Sequence, residues 1–336
     1  MPVSSHSPSE RWISLIEEFQ SFGGTANNVV QREGDLGLGL FPIDPSKPVE
    51  LRAPKHLLVR TDNLILENGE IAIKDDSTFP KGYSDWYARF QADFSWGAEA
   101  QQSIRNFEEG LRLLPEECLQ LLSKFGFYVS ADRYPADQKE EAIFQRFIKT
   151  RQINWKGETY LMPIIELINH SPKHQSWGIG DNGINVKGLF KNEMLVRYSI
   201  ADPLIRLIQY GFNCREPMCF SINQKLTYKG KTILVKGGIN YEIQKPFQID
   251  TSGDKLILNN PLLSHSIRPK LPRQMFKESV RDHEWIDADE LFELIHLRNN
   301  IALIKILKSV EGETGMVAKQ LNDACLDQFE ILRHRF

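Results

Sequence analysis

Two neighbouring polar side chains, Asn169 and His170, stand where an apolar stretch ends: Tyr160-Leu-Met-Pro-Ile-Ile165, then Glu166-Leu167-Ile168. A stretch of that composition reads as a buried strand, or as a strand leading into a turn. Polar atoms at its end need hydrogen-bond partners if buried, so the pair is not ordinary core filler. A metal site fits poorly. His174 is the one further ligand at a usable spacing, and Pro172 rules out a regular helix between the two histidines. A Ser-His-Asp hydrolase fits poorly too, since no Gly-x-Ser-x-Gly elbow is present. A structural histidine, hydrogen-bonded inside a core, is the plain alternative to a ligand contact.

Other residues could join such a site. Gly37-Leu38-Gly39-Leu40-Phe41 allows close backbone approach, because two positions lack a Cβ. It is not a dinucleotide fingerprint, which needs a third glycine and a following helix, nor a phosphate loop ending in Gly-Lys-Ser/Thr. A glycine-rich β-turn would look the same. Arg151 offers a planar fork suited to a carboxylate, or simply a cation favouring a helix C-terminus. Glu166 could attract a cation, orient a polar neighbour, or pair locally. Tyr198 closes the strand-like Met194-Leu-Val-Arg-Tyr198, and Tyr210-Gly211-Phe212 follows. The common fate of tyrosine is a core position with a satisfied hydroxyl.

The elements that must position these residues change character along the chain. Ser7-Pro8-Ser9-Glu10 predicts a helix start, with Ser7 as cap and Glu10 completing a capping box. Trp12, Leu15, Ile16 and Phe19 then mark an amphipathic face, and Gly23-Gly24 stops it. Residues 28 to 75 read as β, with short apolar segments at Val29-Val30, Leu38–Phe41, His56–Arg60 and Ile71–Lys74. From about 84 to 150 the period is helical: Ile104, Phe107, Leu111 and Leu114, a break at Pro115, then Cys118, Leu121, Leu122 and Phe125, then Ile143 to Ile148 leading to Arg151. From about 159 to 212 strands and short turns return. Residues 217 to 258 are β-rich, with hairpin turns expected at Thr227–Thr232 and Thr251–Asp254. The tail is helical.

Bulk properties bound the function. With 336 residues, 41% hydrophobic and 25% charged, the chain suits two domains or one with a large insertion. A net charge of −3 gives no bulk reason to expect nucleic acid. No apolar run has transmembrane length and residues 1 to 9 lack a signal-peptide core, so a cytoplasmic protein without membrane contact is expected. Of four cysteines, Cys214 and Cys219 form the one close pair, and no neighbouring His or Cys completes a zinc set. Reduced, packed thiols are expected, and no metal.

Taken in order, Gly37-Leu38-Gly39, the helical interruption, Asn169-His170, Tyr198 and Tyr210-Gly211-Phe212 resemble the SET-domain protein methyltransferases. The subclass typified by the Rubisco large-subunit lysine methyltransferase is the most similar. The resemblance implies an α+β chain: a β-rich SET fold of short sheets with a knot-like crossing, split by a helical insertion, plus a C-terminal module of β and helix. The implied divisions are 1–83 and 151–215 for the SET domain, 84–150 for the insertion and 216–336 for a substrate-docking module. It also implies S-adenosylmethionine as cofactor, held by Gly37, Leu38, Gly39, Arg151, Asn169, His170, Tyr198 and Phe212. Tyr198 would be catalytic, and Glu166 and Tyr210 would face the substrate, a lysine of another protein.

Several positions depart from the family pattern. Glu166 stands where Asp is usual, Gln152-Ile153 follows Arg151, Ser199 follows Tyr198, and Ile200–Ile205 replaces the usual linker. Two other expectations therefore stand beside the lysine methyltransferase: a SET-fold binding or scaffold protein without catalysis, and a protein-histidine methyltransferase. A nucleic-acid methyltransferase would need a basic face and a βαβ signature, and neither is visible.

Overall fold

A computed structural model of the chain describes residues 8–127, 129, 134–237, 249–252 and 255–333. Contacts divide it into two units, Met1–Arg105 with Ile143–Tyr198, and Asn106–Ala142 with Ser199–Phe336.

In the first unit the helix Glu10–Ser21 buries Trp12, Leu15, Ile16 and Phe19, as their spacing predicts. The expected cap, Ser7, lies outside the described residues. Ser9 is the cap: its backbone is extended and its hydroxyl accepts the Trp12 N–H at 3.2 Å. A second helix, Tyr83–Phe94, packs on the first through rings. Phe19 stacks on Trp86 at 5.3 Å, and the Trp86 indole donates to the Leu15 carbonyl at 2.9 Å. The polar edge of the Trp86 indole is thus satisfied inside the core.

Short sheets surround these helices. Four antiparallel strands lie in the order Thr25–Asn27, Val49–Pro54, Gly183–Gly188 and Gly178–Gly180. Val49–Pro54 was not among the expected segments, because Arg52 and Pro54 blur the alternation. Yet Val49, Leu51 and Ala53 are fully buried. Val29–Gly34 and Gly37–Pro42 form a hairpin, as do Leu64–Glu67 and Glu70–Ile73. The expected strand His56–Arg60 is shorter. Lys55–Leu57 is a 3-10 turn that sends Leu57 and Leu58 into the core, and only Val59–Arg60 pairs, beside Glu158–Leu161 and Ile153–Trp155.

The helical block holds as predicted, with helices Gln101–Arg112, Glu116–Lys124 and Lys139–Arg151. The strands expected between 159 and 212 do not continue to the end: Pro203–Tyr210 is an α-helix. Asp202 caps it through the Ile205 N–H at 2.8 Å, Pro203 takes the first turn, and Gly211, with φ 83°, ends it.

In the second unit that helix packs on Met316–Arg333, which packs on Ala288–Ser309, and Leu271–Val280 packs on Ala288–Ser309 in turn. The β-rich patch is real. Strands lie in the order Gln224–Tyr228, Lys231–Lys236, Lys255–Asn259 and Ile249–Ser252, and Met218–Phe220 pairs with Leu262–His265. The hairpin turn falls within Thr227–Thr232 as expected. In the other expected turn, Gly253 and Asp254 lie outside the described residues. The chain is therefore α+β, with separate apolar cores in the two units. No helix among the described residues is long and apolar enough to cross a membrane.

Asp202 is fully buried, and burial pushes its carboxyl up from 3.8 to about 7, against hydrogen bonds from Ile205 and Phe220 that lower it. A raised folded-state value favours the protonated form. Its contribution to stability is whole below the unfolded value and is lost as pH rises through about 7. The thermal midpoint should therefore fall between about pH 5 and about pH 8, and Asp202→Asn, which keeps an N-cap, should flatten that fall. Calorimetric scans of both proteins across that range check it; equal slopes would contradict it.

Candidate functional site

Asn169 and His170 form a two-residue strand paired in parallel with Leu195–Val196. The chain reaches them through a constrained turn. The preceding strand ends at Leu161. Ile164 then sits at φ 68°, ψ −47°, a region that β-branched residues avoid, while its side chain is fully buried. Backbone bonds hold the turn: Glu166 N–H to Met162 O at 2.9 Å and Leu167 N–H to Ile164 O at 3.1 Å. The bent approach delivers Glu166 inward and Asn169 to the edge of the Gly37–Pro42 strand.

The Asn169 amide nitrogen donates twice, to the Leu38 carbonyl at 3.1 Å and to Glu193 Oε1 at 2.7 Å. Both partners are acceptors, which settles which end of the amide faces them. Met194 N–H adds a backbone bond to Leu40 O at 2.7 Å. Glu193 therefore lies against the glycine hairpin. A Cβ on Gly39 would overlap Glu193 Oε1 and stand 2.7 Å from Asn169 Nδ2. The close approach at Gly39 is thus made by the chain's own side chains, and Gly37 serves the turn, with φ 84°. Burial raises the Glu193 carboxyl, the Asn169 bond lowers it, and Asp35 raises it again. No spacing in the sequence singles out Glu193; its place follows from a contact made far along the chain.

His170 is buried, and its Nδ1 accepts the Tyr198 N–H at 3.2 Å, so the neutral ring carries its proton on Nε2. The Tyr198 hydroxyl donates to Ile168 O at 2.6 Å. Its ring lies 5.1 Å from His170 and 5.9 Å from Trp177. Tyr198 thus stands just beyond a strand limited to Leu195–Val196, fixed at its backbone and at its hydroxyl.

Glu166 is 8% exposed. Its Oε1 accepts from Gln91 at 3.0 Å and Ser95 at 2.7 Å, and its Oε2 has no partner. Desolvation raises its carboxyl, opposed by Ser95, Arg151 and Gln91. Its nearest use is to anchor the end of the Tyr83–Phe94 helix. Arg151 ends the helix Lys139–Arg151 with its guanidinium 4.3 Å from the Phe147 ring. One amino group donates to Thr150 Oγ1 at 3.0 Å, and Nε is buried without a partner. Burial lowers the Arg151 pKa, while the charge of Glu166 and the phenol of Tyr198 raise it.

Tyr210 and Phe212 belong to the second unit. Tyr210 ends the helix Pro203–Tyr210, its hydroxyl 3.2 Å from Ser199 Oγ and its ring 4.6 Å from the Arg206 guanidinium. Arg206 is fully buried, pairs with Glu216 at 2.7 Å and donates to Ser199 O at 3.0 Å. Ser199 and the altered linker therefore build a helix cap and a buried ion pair. The Phe212 ring is 6.2 Å from Tyr210.

A cavity of about 570 Å³ elsewhere in the first unit, lined by Arg52, Lys55, His56, Phe79 and Tyr160 among others, includes none of these residues. Its Arg60 is neutralised by Asp62 and Glu158, and its Asp181 by Lys156.

No family model matches the chain, and no curated protein matches it. Among solved structures it is similar to the SET domain of LSMT, crystallised bound to lysine and AdoHcy. Identity is 12% and the TM-score 0.42, over 97% of this chain and 90% of that one.

The packing around Gly39 makes a direct prediction. Gly39→Ala drives a methyl group into Glu193 and Asn169 and should cost about 1–3 kcal/mol in urea unfolding. At Glu166, Glu166→Ala strands the Gln91 and Ser95 donors and should cost about 1–3 kcal/mol, whereas Glu166→Gln keeps an acceptor and should cost less. Equal losses for the two Glu166 variants would remove its role as an anchor.

Proposed function

We propose that the chain is a protein methyltransferase that uses S-adenosylmethionine and transfers its methyl group to a lysine side chain. One observation carries the reading: Asn169 Nδ2 bonds Leu38 O across 131 residues, while the adjoining His170 fixes Tyr198. Sequence fragments of no value singly are thereby hydrogen-bonded into one constellation in the first unit.

The residues present fit the cofactor. Arg151 keeps a buried, unpartnered Nε among the groups that face Glu166 and Tyr198, and an arginine fork suits an α-carboxylate. The partly exposed Gly37-Leu38 end of the hairpin strand and the Asn169–His170 strand are where main-chain groups for the rest of such a molecule would lie. When bound, S-adenosylmethionine supplies an electrophilic methyl group on a sulfonium sulfur.

The chain's own part is positioning. The Tyr198 O–H proton is committed to the Ile168 carbonyl, so the phenol oxygen offers lone pairs. It can accept an N–H of the incoming amine, or a polarised C–H of the methyl, and hold nitrogen, carbon and sulfur in line. A lysine amine, with a pKa of about 10.4 in water, must be neutral to attack, and a dry aromatic wall favours that form. His170, buried, and Trp177, partly buried, supply aromatic surface beside Tyr198. Transfer would leave the lysine as a methylammonium and the cofactor as a neutral thioether, and one of the two N–H protons of that methylammonium could then pass to solvent. A protein substrate and a cytoplasmic setting complete the proposal.

The test is transfer of labelled methyl from S-adenosylmethionine to proteins of a host lysate. A labelled band with the wild type, reduced at least about tenfold by Tyr198→Phe, is the expected result. Undiminished transfer by that variant would remove Tyr198 from the chemistry, and no transfer by the wild type would remove the enzyme.

A further inference from the structure

Glu193 is a carboxylate in an unusual position. Its side chain is partly buried against the glycine hairpin, beside Gly34 and Gly39, and only a neutral donor, the Asn169 amide, bonds it. Among the described residues no lysine, arginine or histidine pairs with it, and the charge that acts on it is Asp35, which repels. A Glu99 carboxylate oxygen also lies 3.9 Å from where a Gly37 Cβ would be. A desolvated charge with a like-charged neighbour costs stability unless something compensates it. Replacing it with a neutral side chain would relieve that cost, so the carboxylate has no evident structural reason to be charged.

We propose that Glu193 receives the positive charge of a ligand bound along the Gly37–Phe41 strand. This inference rests on the cofactor reading above and adds to it the group that recognises the ligand's cation. The complementary chemistry is an organic cation, either the α-ammonium of an amino-acid end or a sulfonium. Asn169 then has a second duty: by donating to Oε1 it fixes the carboxylate's rotamer and leaves Oε2 for the ligand. Glycine at position 39 follows from the same arrangement, because a Cβ there would overlap Oε1; at Gly34 a Cβ would meet the Phe41 ring at 2.6 Å and crowd Oε2 at 3.2 Å.

Three ligands separate the possibilities in calorimetric titrations. S-adenosylmethionine carries ammonium and sulfonium, S-adenosylhomocysteine carries ammonium only, and methylthioadenosine carries neither. Glu193→Gln preserves an acceptor for Asn169, so the fold should be kept and its thermal midpoint without ligand should not fall. The variant should bind S-adenosylmethionine about tenfold more weakly than the wild type and methylthioadenosine equally well. A similar loss for S-adenosylhomocysteine assigns the ammonium; a loss confined to S-adenosylmethionine assigns the sulfonium. Glu193→Asp, which keeps the charge, should recover most of the affinity. Unchanged S-adenosylmethionine binding by Glu193→Gln, or an equal loss for methylthioadenosine, overturns the inference while leaving the cofactor reading intact. A wild type that binds none of the three overturns both.

Discussion

The side-chain amide of Asn169 is the joint on which the candidate site depends. Its two donors reach a carbonyl in the glycine hairpin and a carboxylate just before the strand Leu195–Val196. Three segments far apart in sequence are fixed by one planar group. Each bond alone adds only about 1 kcal/mol. The geometry matters more: the amide nitrogen has two hydrogens and both are used, so shifting any one segment leaves a polar atom unsatisfied in a partly buried place. His170 extends the joint by one residue, since its Nδ1 holds the Tyr198 backbone, and the Ile168 carbonyl holds the Tyr198 hydroxyl.

Buried charge in each unit is handled differently. In the second unit Arg206 and Glu216 neutralise each other, and Ser199 takes a further guanidinium donor. Those bonds read as structure. In the first unit Arg151 and Glu166 are both desolvated, and each keeps an atom without a partner, Nε and Oε2. A structural pair would be expected to close on itself; incomplete satisfaction near a strained Ile164 is where a ligand's polar groups would fit.

Much of this was legible in the residues, for identifiable reasons. Helical faces such as Trp12–Phe19 and Ile104–Leu114 are long enough for periodicity to decide them, and the return to β after residue 216 is marked by alternating apolar residues. The helix Pro203–Tyr210 has start and stop signals in Asp202-Pro203 and Gly211, yet with only eight residues it offers too few turns for a period to show. Val49–Pro54 was hidden by an arginine and a proline at strand positions whose neighbours are fully buried. In the site, Asn169, His170 and Tyr198 stood out because polar groups ended apolar runs. Glu193 did not, since a glutamate before a strand is ordinary and its meaning comes from Gly34, Gly39 and Asn169, which only folding brings to it. The inward turn of Glu166 was equally invisible, being set by Gln91 and Ser95 more than seventy residues earlier.

The central claim is that the strand Gly37–Pro42, Asn169–His170 and Arg151 bound one ligand site. A crystal structure grown with S-adenosylhomocysteine tests it most directly. The account predicts the ligand along the Gly37–Phe41 strand, with its carboxylate on the Arg151 guanidinium. Ligand bound only in the cavity beside Arg52 and Phe79, or absent at saturating concentration, would contradict it.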